Sequence, residues 1–398
     1  MRRLATALVL LALLAANLRW AEPYYNWDML GYVGAAYRMA GVSPVEAHRR
    51  TYDRAAEVVP PEQYAWLVEG DELRQTVAAD PAAFAQQLPF YSVKPAYPLL
   101  IRALGALGLE PIRASVWISR AAYAGIGIIV LLWLSRFLAP GAALATAWAI
   151  MAVQVVLETG QLSTPDALSA VVVLTALCLV FEARRFGAGL IFLLLSIPIR
   201  PDNLLWLLIV AAYIALQDRG ARVRAGVAAA AGVAACAGLF AWAGEPGWRV
   251  LFHHAFVEPL PYPAAHTPSL GPGGYARVYL RETHPANLPP FAALFALLGA
   301  WLFASRLRRF GRADPGAALL AVAGIFAAAH WLLYPDEDRL LVTAYLVVLV
   351  LLVRTLVEFA AGRAVRRMRR SPAPRALPVS RVPRLDALLG RTRVKPGP

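Results

Sequence analysis

Charged residues are scarce in this chain, and their scarcity excludes an ordinary soluble domain. Only 16% of the 398 residues are charged and 59% are hydrophobic, with a mean hydropathy of +0.53. Soluble domains carry about 25% charged residues. The composition therefore indicates a protein whose solvent is largely lipid.

Sequence motifs that are common in soluble enzymes and zinc proteins are also missing. The sequence has no internal repeat, no GxGxxG or Walker phosphate loop, and no Cys/His pair at zinc-site spacing. The only cysteines, Cys178 and Cys236, fall in apolar runs, where packing is the simplest role. The adjacent His253 and His254 point to different sides of a helix and make a poor metal pair.

Long apolar runs are what the sequence has instead. A membrane-spanning helix needs about 20 apolar residues. The candidate runs are 4–18, 115–134, 142–157, 165–181, 187–199, 203–216, 224–243, 290–305, 316–334 and 340–358. We therefore predict an all-α polytopic membrane protein with about ten transmembrane helices. The first run follows a basic start but precedes no small-x-small cleavage site, so we expect an uncleaved anchor.

Arginine is spread unevenly along the chain, and its distribution predicts the orientation of the spans. Cytoplasmic loops are enriched in Lys and Arg. The basic clusters are Arg2/Arg3, Arg184/Arg185, Arg219/Arg222/Arg224, Arg306/Arg308/Arg309/Arg312 and the tail. Placing all of them inside predicts that both termini are cytoplasmic and that residues 20–113 and 244–289 are extracytoplasmic.

Most of the net charge of +14 belongs to the tail. Residues 363–398 contain eleven Arg or Lys and a single acid, Asp386, which gives +10. A Pro- and Arg-rich tail after a span is typical of a cytoplasmic segment attracted to anionic lipid, so we predict no nucleic-acid partner. The predicted organisation is a transmembrane domain, 1–362, and a basic tail, 363–398, in an inner (plasma) membrane.

The first outer segment contains one stretch that tests this topology. Residues 96–109 are apolar, but 14 residues with Arg102 in the middle are short for a span. A crossing there would invert every later loop, so we interpret the stretch as an amphipathic helix in the outer interface. In residues 20–95, short helical patterns broken by prolines predict interfacial helices near 28–40, 44–58 and 71–87. We do not expect this segment to be a folded soluble domain.

Polar residues gather where the predicted spans meet the outer face. The clusters are Asp28 in "YYNWDMLGY", Glu158 with Thr164-Pro165-Asp166, Arg200-Pro201-Asp202-Asn203, and Tyr334-Pro335-Asp336-Glu337-Asp338-Arg339. Lys94 in "SVKPAYP" is a fifth feature, and the only other lysine is Lys395. Proline followed by an acid is what helix starts prefer, so simple capping remains an alternative for each acid.

Two arguments favour a functional site over capping. Arg200 and Asp202 lie between two short apolar runs with almost no loop, at a depth where a charge costs about 2.5–3.5 kcal/mol. The basic residues Lys94, Arg200 and Arg339, together with helix N-termini, suit a phosphate. Carboxylates beside such a cradle predict chemistry on a phosphorylated lipid.

These residues resemble the GT-C superfamily, the membrane glycosyltransferases that use polyprenyl-phosphate sugars, in the branch of protein O-mannosyltransferases and lipid A aminoarabinose transferases. The resemblance covers about residues 1–360. It rests on Asp28 just after the first span, "KPAYPLLIRALGALGL" at 94–109, "LSTPDALSAVVVLTALCLV" at 162–180, and Arg339 in "DEDRLLVTAYLVVLVLL". The late motif reads Arg-Leu where the family has Arg-Tyr.

The resemblance implies an inverting glycosyltransferase whose active site faces away from the cytoplasm. Asp28 would be the general base on the acceptor hydroxyl, and the lipid phosphate would leave with its charge. The other implied residues are Lys94, Arg200 and Arg339 for the donor phosphate, Asp166 and Glu158 as a second acidic element, and Asp202 as the partner of Arg200. No cofactor is required, and a divalent metal is compatible with the family but is not indicated by the sequence.

The role of the aromatic residues around Asp28 has two possible interpretations. Tyr24, Tyr25, Trp27 and Tyr32 anchor a short helix at the headgroup level and are placed to stack on a sugar. The alternative is an aromatic belt with a capping acid.

Two other functions stay open at this point. A transporter or flippase for a lipid-linked or anionic solute also places charges inside the membrane, although usually with related halves. A non-catalytic envelope scaffold would explain the same charges by capping. The sequence leaves open the sugar, the acceptor (lipid, glycan or protein), the oligomeric state, and whether 244–289 is an acceptor-facing lid or a linker.

Overall fold

The computed structural model describes residues 2–282, 299, 315–334 and 338–370. The predicted span 290–305 apart from one residue, the acids Asp336 and Glu337, and the tail beyond residue 370 lie outside the described residues. Two units are distinguished, Met1–Arg354 and Thr355–Pro398. The described part of the second unit is the end of one helix, and every candidate site residue belongs to the first.

The described residues are all-α, as the apolar runs predicted. They contain no strand, and their β pairing is an isolated parallel bridge between Tyr24 and Leu162. The helices are α1 Arg2–Trp20, α2 Trp27–Met39, α3 Pro44–Val58, α4 Pro61–Glu69, α5 Glu72–Ala79, α6 Pro81–Gln87, α7 Pro89–Ser92, α8 Ala96–Ala106, α9 Pro111–Leu134, α10 Pro140–Met151, α11 Gln154–Gln161, α12 Asp166–Leu177, α13 Phe186–Ser196, α14 Asn203–Gln217, α15 Arg222–Ala243, α16 Trp248–Phe256, α17 Pro272–Glu282, α18 Pro315–Leu333 and α19 Val342–Arg370.

Several of these helices are long and apolar enough to span a membrane. Four qualify alone, namely α9, α15, α18 and the stretch Arg339–Ala360, and α10 with α11 would make a fifth span bent by 71°. Other predicted runs, such as those in α1, α13 and α14, form apolar helices of 10–17 residues. The described residues therefore contain four or five candidate spans, and the ten-span arrangement stays a prediction.

The centre of the helical bundle is the contact between α9 and α12. α12 buries Ala170, Val173, Leu174 and Leu177, which share one face at helical spacing. α9 is crossed by α1 at Gly127, where an added Cβ would lie 2.4 Å from a methyl carbon of Leu14. The bundle is thus packed closely enough to fix the outer ends of these helices, where the polar clusters lie.

The first outer segment is more organised than its sequence predicted. α2–α6 pack around an apolar cluster, which includes Met29, Tyr52, Leu67, Val77 and Phe84. Short amphipathic helices that each have one apolar face can bury those faces against one another. The cluster belongs to the same unit as the rest of Met1–Arg354, so the expectation that 20–95 is not a folded soluble domain stays a prediction.

Helix boundaries in this segment follow the local capping chemistry. α3 begins at Pro44, and the Ser43 hydroxyl accepts a hydrogen bond from the Glu46 amide at 3.3 Å. The predicted helix 71–87 is divided into α5 and α6, because Pro81 cannot donate within a helix and Asp80 caps α6 through the Ala82 amide at 2.8 Å.

α8 fits an interfacial helix better than a span. Its 11 residues extend about 16 Å, roughly half of the hydrocarbon thickness. Tyr97 and Ile101 are buried against the protein, whereas Leu99 and Leu100 on the other face are exposed. Arg102 donates to the carbonyl of Met39 at 3.0 Å. The apolar exposed face suits lipid at the edge of the bundle.

The second outer segment is fastened to the first. Gln87 of α6 donates to the carbonyls of Leu260 and Pro261 at 2.7 and 3.1 Å. Tyr262 donates to Asp80 at 2.7 Å. His254 accepts from the Leu260 amide at 2.8 Å through Nδ1. Residues 257–266, which we name the strap, are therefore held on α6, which argues against a free linker in this part of 244–289.

Candidate active site

Asp28 lies in the first turn of α2, and the chain before it is held against the start of α12. The Tyr24 amide donates to the Gln161 carbonyl at 3.2 Å, beside the bridge between Tyr24 and Leu162. This pairing brings the start of α2 next to the segment that leads into α12. Two polar clusters that are far apart in sequence thus become neighbours.

Asp166 begins α12 and is almost fully buried. Its carboxylate accepts a 2.6 Å hydrogen bond from Thr164, and the Thr164 carbonyl accepts from Ser119 of α9 at 3.1 Å. Only 3% of the Asp166 side chain is exposed. Such a carboxylate needs a positive partner to remain charged.

Arg200 supplies that partner from the short connection between α13 and α14. Its Nη1 donates to Asp166 Oδ1. Its other nitrogens make a two-point pair with Asp202, Nε to Oδ1 at 3.0 Å and Nη2 to Oδ2 at 2.8 Å. Asn203 fixes the connection by donating to the Ser196 carbonyl at 3.0 Å. Arg200 is thereby held in one orientation between two carboxylates.

Arg339 joins this arrangement to Asp28. Its Nη2 donates to Asp28 Oδ2 at 3.0 Å, and its Nε lies 3.9 Å from Asp166 Oδ2. Asp28, Arg339, Asp166, Arg200 and Asp202 therefore form a continuous series of ion pairs, which we name the charge network. Its members come from four separate parts of the chain.

Lys94 lies beside the charge network rather than within it. Its Nζ donates to the hydroxyl of Tyr32 at 3.0 Å. The Ala96 amide donates to the Pro198 carbonyl at 3.0 Å, which holds this turn against the connection that carries Arg200. Burial, and next the positive charge of Arg200, lower the pKa of Lys94. Among the described residues, this ammonium makes no ion pair, although Asp28, Asp166 and Asp202 lie near enough to act on it electrostatically.

The acids of the charge network are not acting as helix caps through hydrogen bonds. Asp202 stands at the N-cap of α14 but makes no side-chain cap bond, and the carboxylates of Asp28 and Asp166 accept from side chains. By contrast, Asp71 and Asp80 cap α5 and α6 through backbone amides. This difference supports a role for the network beyond starting helices.

Asp28 is the least constrained carboxylate of the three. Its side chain is 27% exposed, and among the described residues its Oδ1 accepts a hydrogen bond from the Tyr91 hydroxyl alone, at 3.5 Å. Asp202 is comparably exposed at 25%, but both of its oxygens are held by Arg200. Asp28 is therefore the acid best placed to meet a molecule from outside.

Three of the predicted site residues make their contacts away from the charge network. Glu158 accepts from Gln154 on its own helix at 2.7 Å and has no hydrogen bond or ion pair with the charge network among the described residues. Tyr24 is 45% exposed and packs on Trp66, with ring centroids 6.1 Å apart. Trp27 belongs to the apolar cluster of the first outer segment.

Tyr32 is not available to stack on a sugar, which corrects that part of the prediction. It is 1% exposed, and its ring packs between Tyr91 and Tyr97, with centroids 5.1 and 5.0 Å away. Its position follows from helical spacing, since residue 32 lies one turn after residue 28 on the inner face of α2. Its hydroxyl instead holds Lys94.

Two residues at the site were missed from the sequence. His330 of α18 is 4% exposed, and its Nε2 lies 3.2 Å from Asp202 Oδ2. An ionisable residue inside an apolar run is a signal that could have identified it. Tyr91 lies three residues before Lys94, on the same side of a helical turn, and this spacing was the available signal.

The described residues offer no ready metal site. No group of three or more His, Cys, Asp or Glu side chains among them is arranged to hold a metal ion. Each carboxylate of the charge network faces an arginine instead. The arrangement suits a ligand that brings its own negative charge and competes for these guanidinium groups.

Comparison with known proteins gives no relative from which to transfer a function. No family model, no curated protein and no solved structure matches this chain. The chemistry of the site must therefore be argued from its own residues.

Proposed function

We propose that the protein is an inverting, GT-C-like glycosyltransferase that moves a sugar from a polyprenyl-phosphate donor to an acceptor hydroxyl. The observation that carries the proposal is the charge network, in which a partly exposed carboxylate, Asp28, shares Arg339 with a buried acid, Asp166. Arginines and a poorly paired lysine beside one accessible carboxylate suit a reaction in which a phosphate leaves and a proton is accepted.

The proposed reaction uses these groups in sequence. The acceptor oxygen attacks the anomeric carbon of the donor, and the bond from that carbon to the phosphate oxygen breaks with its electron pair on the phosphate. Asp28 accepts the hydroxyl proton. The sugar passes through an oxocarbenium-like state. Lys94, Arg200 and Arg339 stabilise the charge on the departing lipid phosphate, which needs positive charge and not a proton.

Arg339 would link phosphate binding to proton transfer. In the free protein it donates to Asp28 Oδ2 at 3.0 Å. A donor phosphate competes for this guanidinium, and its transfer to the phosphate frees Oδ2 for the acceptor hydroxyl. Asp166, held by Arg200 and Thr164, keeps Arg339 within reach of both groups. Asp202 and His330 orient Arg200.

The location follows from the topology predicted by arginine counting. The site would face the extracytoplasmic side of an inner membrane, with the strap at its edge as part of an acceptor-facing surface. Phe90, which precedes Tyr91, stacks on His254 at the base of the strap, with centroids 5.4 Å apart. The acceptor class, lipid, glycan or protein, would be set by this surface.

Replacing Asp28 by Asn tests the proposal. Purified protein in vesicles is incubated with radiolabelled polyprenyl-phosphate sugars, and release of free polyprenyl phosphate is measured. Loss of a general base lowers the rate by about 100-fold or more. Asp53→Asn is the matched control, because Asp53 is an exposed acid paired with Arg49 on α3 and its loss should leave the rate unchanged.

Other outcomes would favour the alternative functions. Uptake of donor without release of free polyprenyl phosphate would favour a transporter or flippase, for which broken helices such as α10 with α11 are typical. Wild-type turnover by a folded Asp28→Asn protein would rule out Asp28 as the base. Normal cell growth after alanine replacement of Lys94 and Arg339 would favour a scaffold.

A further inference from the structure

An arginine inside the bundle takes no part in the charge network. Arg120 is the tenth residue of α9, so it lies about 14 Å along this helix from its start. Its Nε is buried without a hydrogen-bond partner, and its guanidinium makes no hydrogen bond or ion pair with any described residue. An ionisable residue within a candidate span marks a functional site by default.

Two more buried polar atoms have no hydrogen-bond partner among the described residues. They are Ser163 Oγ and Asn26 Oδ1, in residues that are 0% and 7% exposed. The parallel bridge between Tyr24 and Leu162 sets the two short segments that carry them side by side. Buried polar atoms are nearly always paired, so adjacent orphans indicate a missing partner.

α9 contacts one of these two segments through the residue next to Arg120. Ser119, the preceding residue, donates to the Thr164 carbonyl at 3.1 Å. Arg120 is also close enough to the hydroxyl of Tyr25 to interact with it electrostatically. Asn26 follows Tyr25 and Ser163 precedes Thr164 in sequence, so both orphan atoms belong to segments that interact with residues 119 and 120 of α9.

The charge around Tyr25 is positive. Arg113 and Arg120 both act on its hydroxyl, with Glu110 as the opposing acid. The Glu110 carboxylate is already used, because it caps α9 by accepting from the amides of Ile112 and Arg113 at 3.0 and 2.8 Å. A ligand rich in negative oxygen atoms would satisfy the guanidinium and the serine hydroxyl together.

We propose that Arg120, with Ser163 and Asn26, forms a binding site for a phosphate group, separate from the charge network. The amide of Asn26 donates to the anion in the orientation that exchanges its oxygen and nitrogen. An anionic phospholipid headgroup and free phosphate share the required chemistry. The site uses none of the residues of the proposed transferase reaction and does not rest on that function.

Lipid binding to the full-length purified protein tests the proposal. Phosphatidylglycerol is titrated in detergent and its adducts are counted by native mass spectrometry, and inorganic phosphate is titrated with thermal unfolding as the readout. We expect Arg120→Gln to weaken binding of at least one probe about tenfold, as loss of a charge-assisted hydrogen bond does. Arg277→Gln removes an exposed arginine of α17 and should leave binding unchanged.

The two probes separate the sources of the phosphate. Arg120-dependent binding of phosphatidylglycerol alone identifies a lipid headgroup site, and Arg120-dependent stabilisation by inorganic phosphate identifies a site for free phosphate as well. Ser163→Ala, a smaller change, should weaken the same probe if Arg120→Gln does not fold. Absence of binding to the wild type, or equal binding by folded variants, overturns the proposal.

Discussion

At the scale of single residues, Arg200 matters because it neutralises two carboxylates. Its side chain is 10% exposed, and that of Asp166 is 3% exposed. Removing one member of a buried ion pair leaves a charge without compensation, which costs far more than the pair itself contributes. The same argument makes Arg200 a requirement for folding independently of any phosphate.

We therefore expect Arg200→Ala to destabilise the protein by about 3–5 kcal/mol, measured by thermal or denaturant unfolding in detergent. Arg49→Ala is the matched control. Arg49 pairs with Glu46 and Asp53 on the exposed face of α3, with 60% of its side chain exposed, and water replaces such partners easily. Equal stability of the two variants would mean that the buried ion pairs do not form.

Replacing Lys94 should stabilise the protein, whereas replacing Arg200 should destabilise it. Burial lowers its pKa, so the folded protein binds fewer protons there than the unfolded chain does just below the ordinary lysine pKa. Stability should consequently rise with pH toward about pH 10. Lys94→Met should raise the melting temperature at pH 7 and remove this part of the rise. A lower melting temperature for Lys94→Met at pH 7 would contradict the prediction.

The site residues that could be predicted are those with a local signal. Asp28, Asp166 and Asp202 have such a signal, because each is an acid near a helix start on the predicted outer face. Glu158 carries the same signal and yet lies apart from the network. The pairing of Arg339 with Asp28 spans 311 residues. Only tertiary packing decides which arginine meets which acid.

At the scale of helices, the strap shows how the two outer segments depend on each other. Gln87 is 2% exposed and donates to two strap carbonyls, whereas the Tyr262 hydroxyl bonds Asp80 at the surface. The sequence predicted helices of the first segment from capping and proline signals, and made no helix prediction for the second. It could not predict their contact, since side chain to backbone bonds over such separations leave no periodic pattern.

Gln87→Ala should release the strap, because it removes the donor to the buried Leu260 carbonyl and to the partly buried Pro261 carbonyl. We expect hydrogen exchange of a peptide covering 257–266 to become about tenfold faster, with exchange in α9 unchanged. Tyr262→Phe removes one exposed bond and should have a much smaller effect. Unchanged exchange in Gln87→Ala would show that apolar contacts alone hold the strap.

At the scale of the whole molecule, the orientation in the membrane depends on α8. Both the arginine counting and the proposed extracytoplasmic location of the site require that residues 96–109 do not cross. The 11-residue helix, with one buried and one exposed apolar face, agrees with this requirement. Composition predicted the all-α class of the described residues. The number of spans stays a prediction, because several apolar runs form helices of 10–17 residues and one predicted span lies almost wholly outside the described residues.

Single cysteines report the orientation directly. Val45 of α3 and Arg219 before α15 are both exposed. Val45→Cys and Arg219→Cys would each be made in a chain with Cys178 and Cys236 replaced by alanine. With α8 at the interface, a membrane-impermeant maleimide should label the cysteine at 45 in intact spheroplasts, and the one at 219 only after permeabilisation. A crossing at α8 inverts every later loop, so both would then be labelled from outside, and Asp28 could not share one membrane face with Arg200 as the charge network requires.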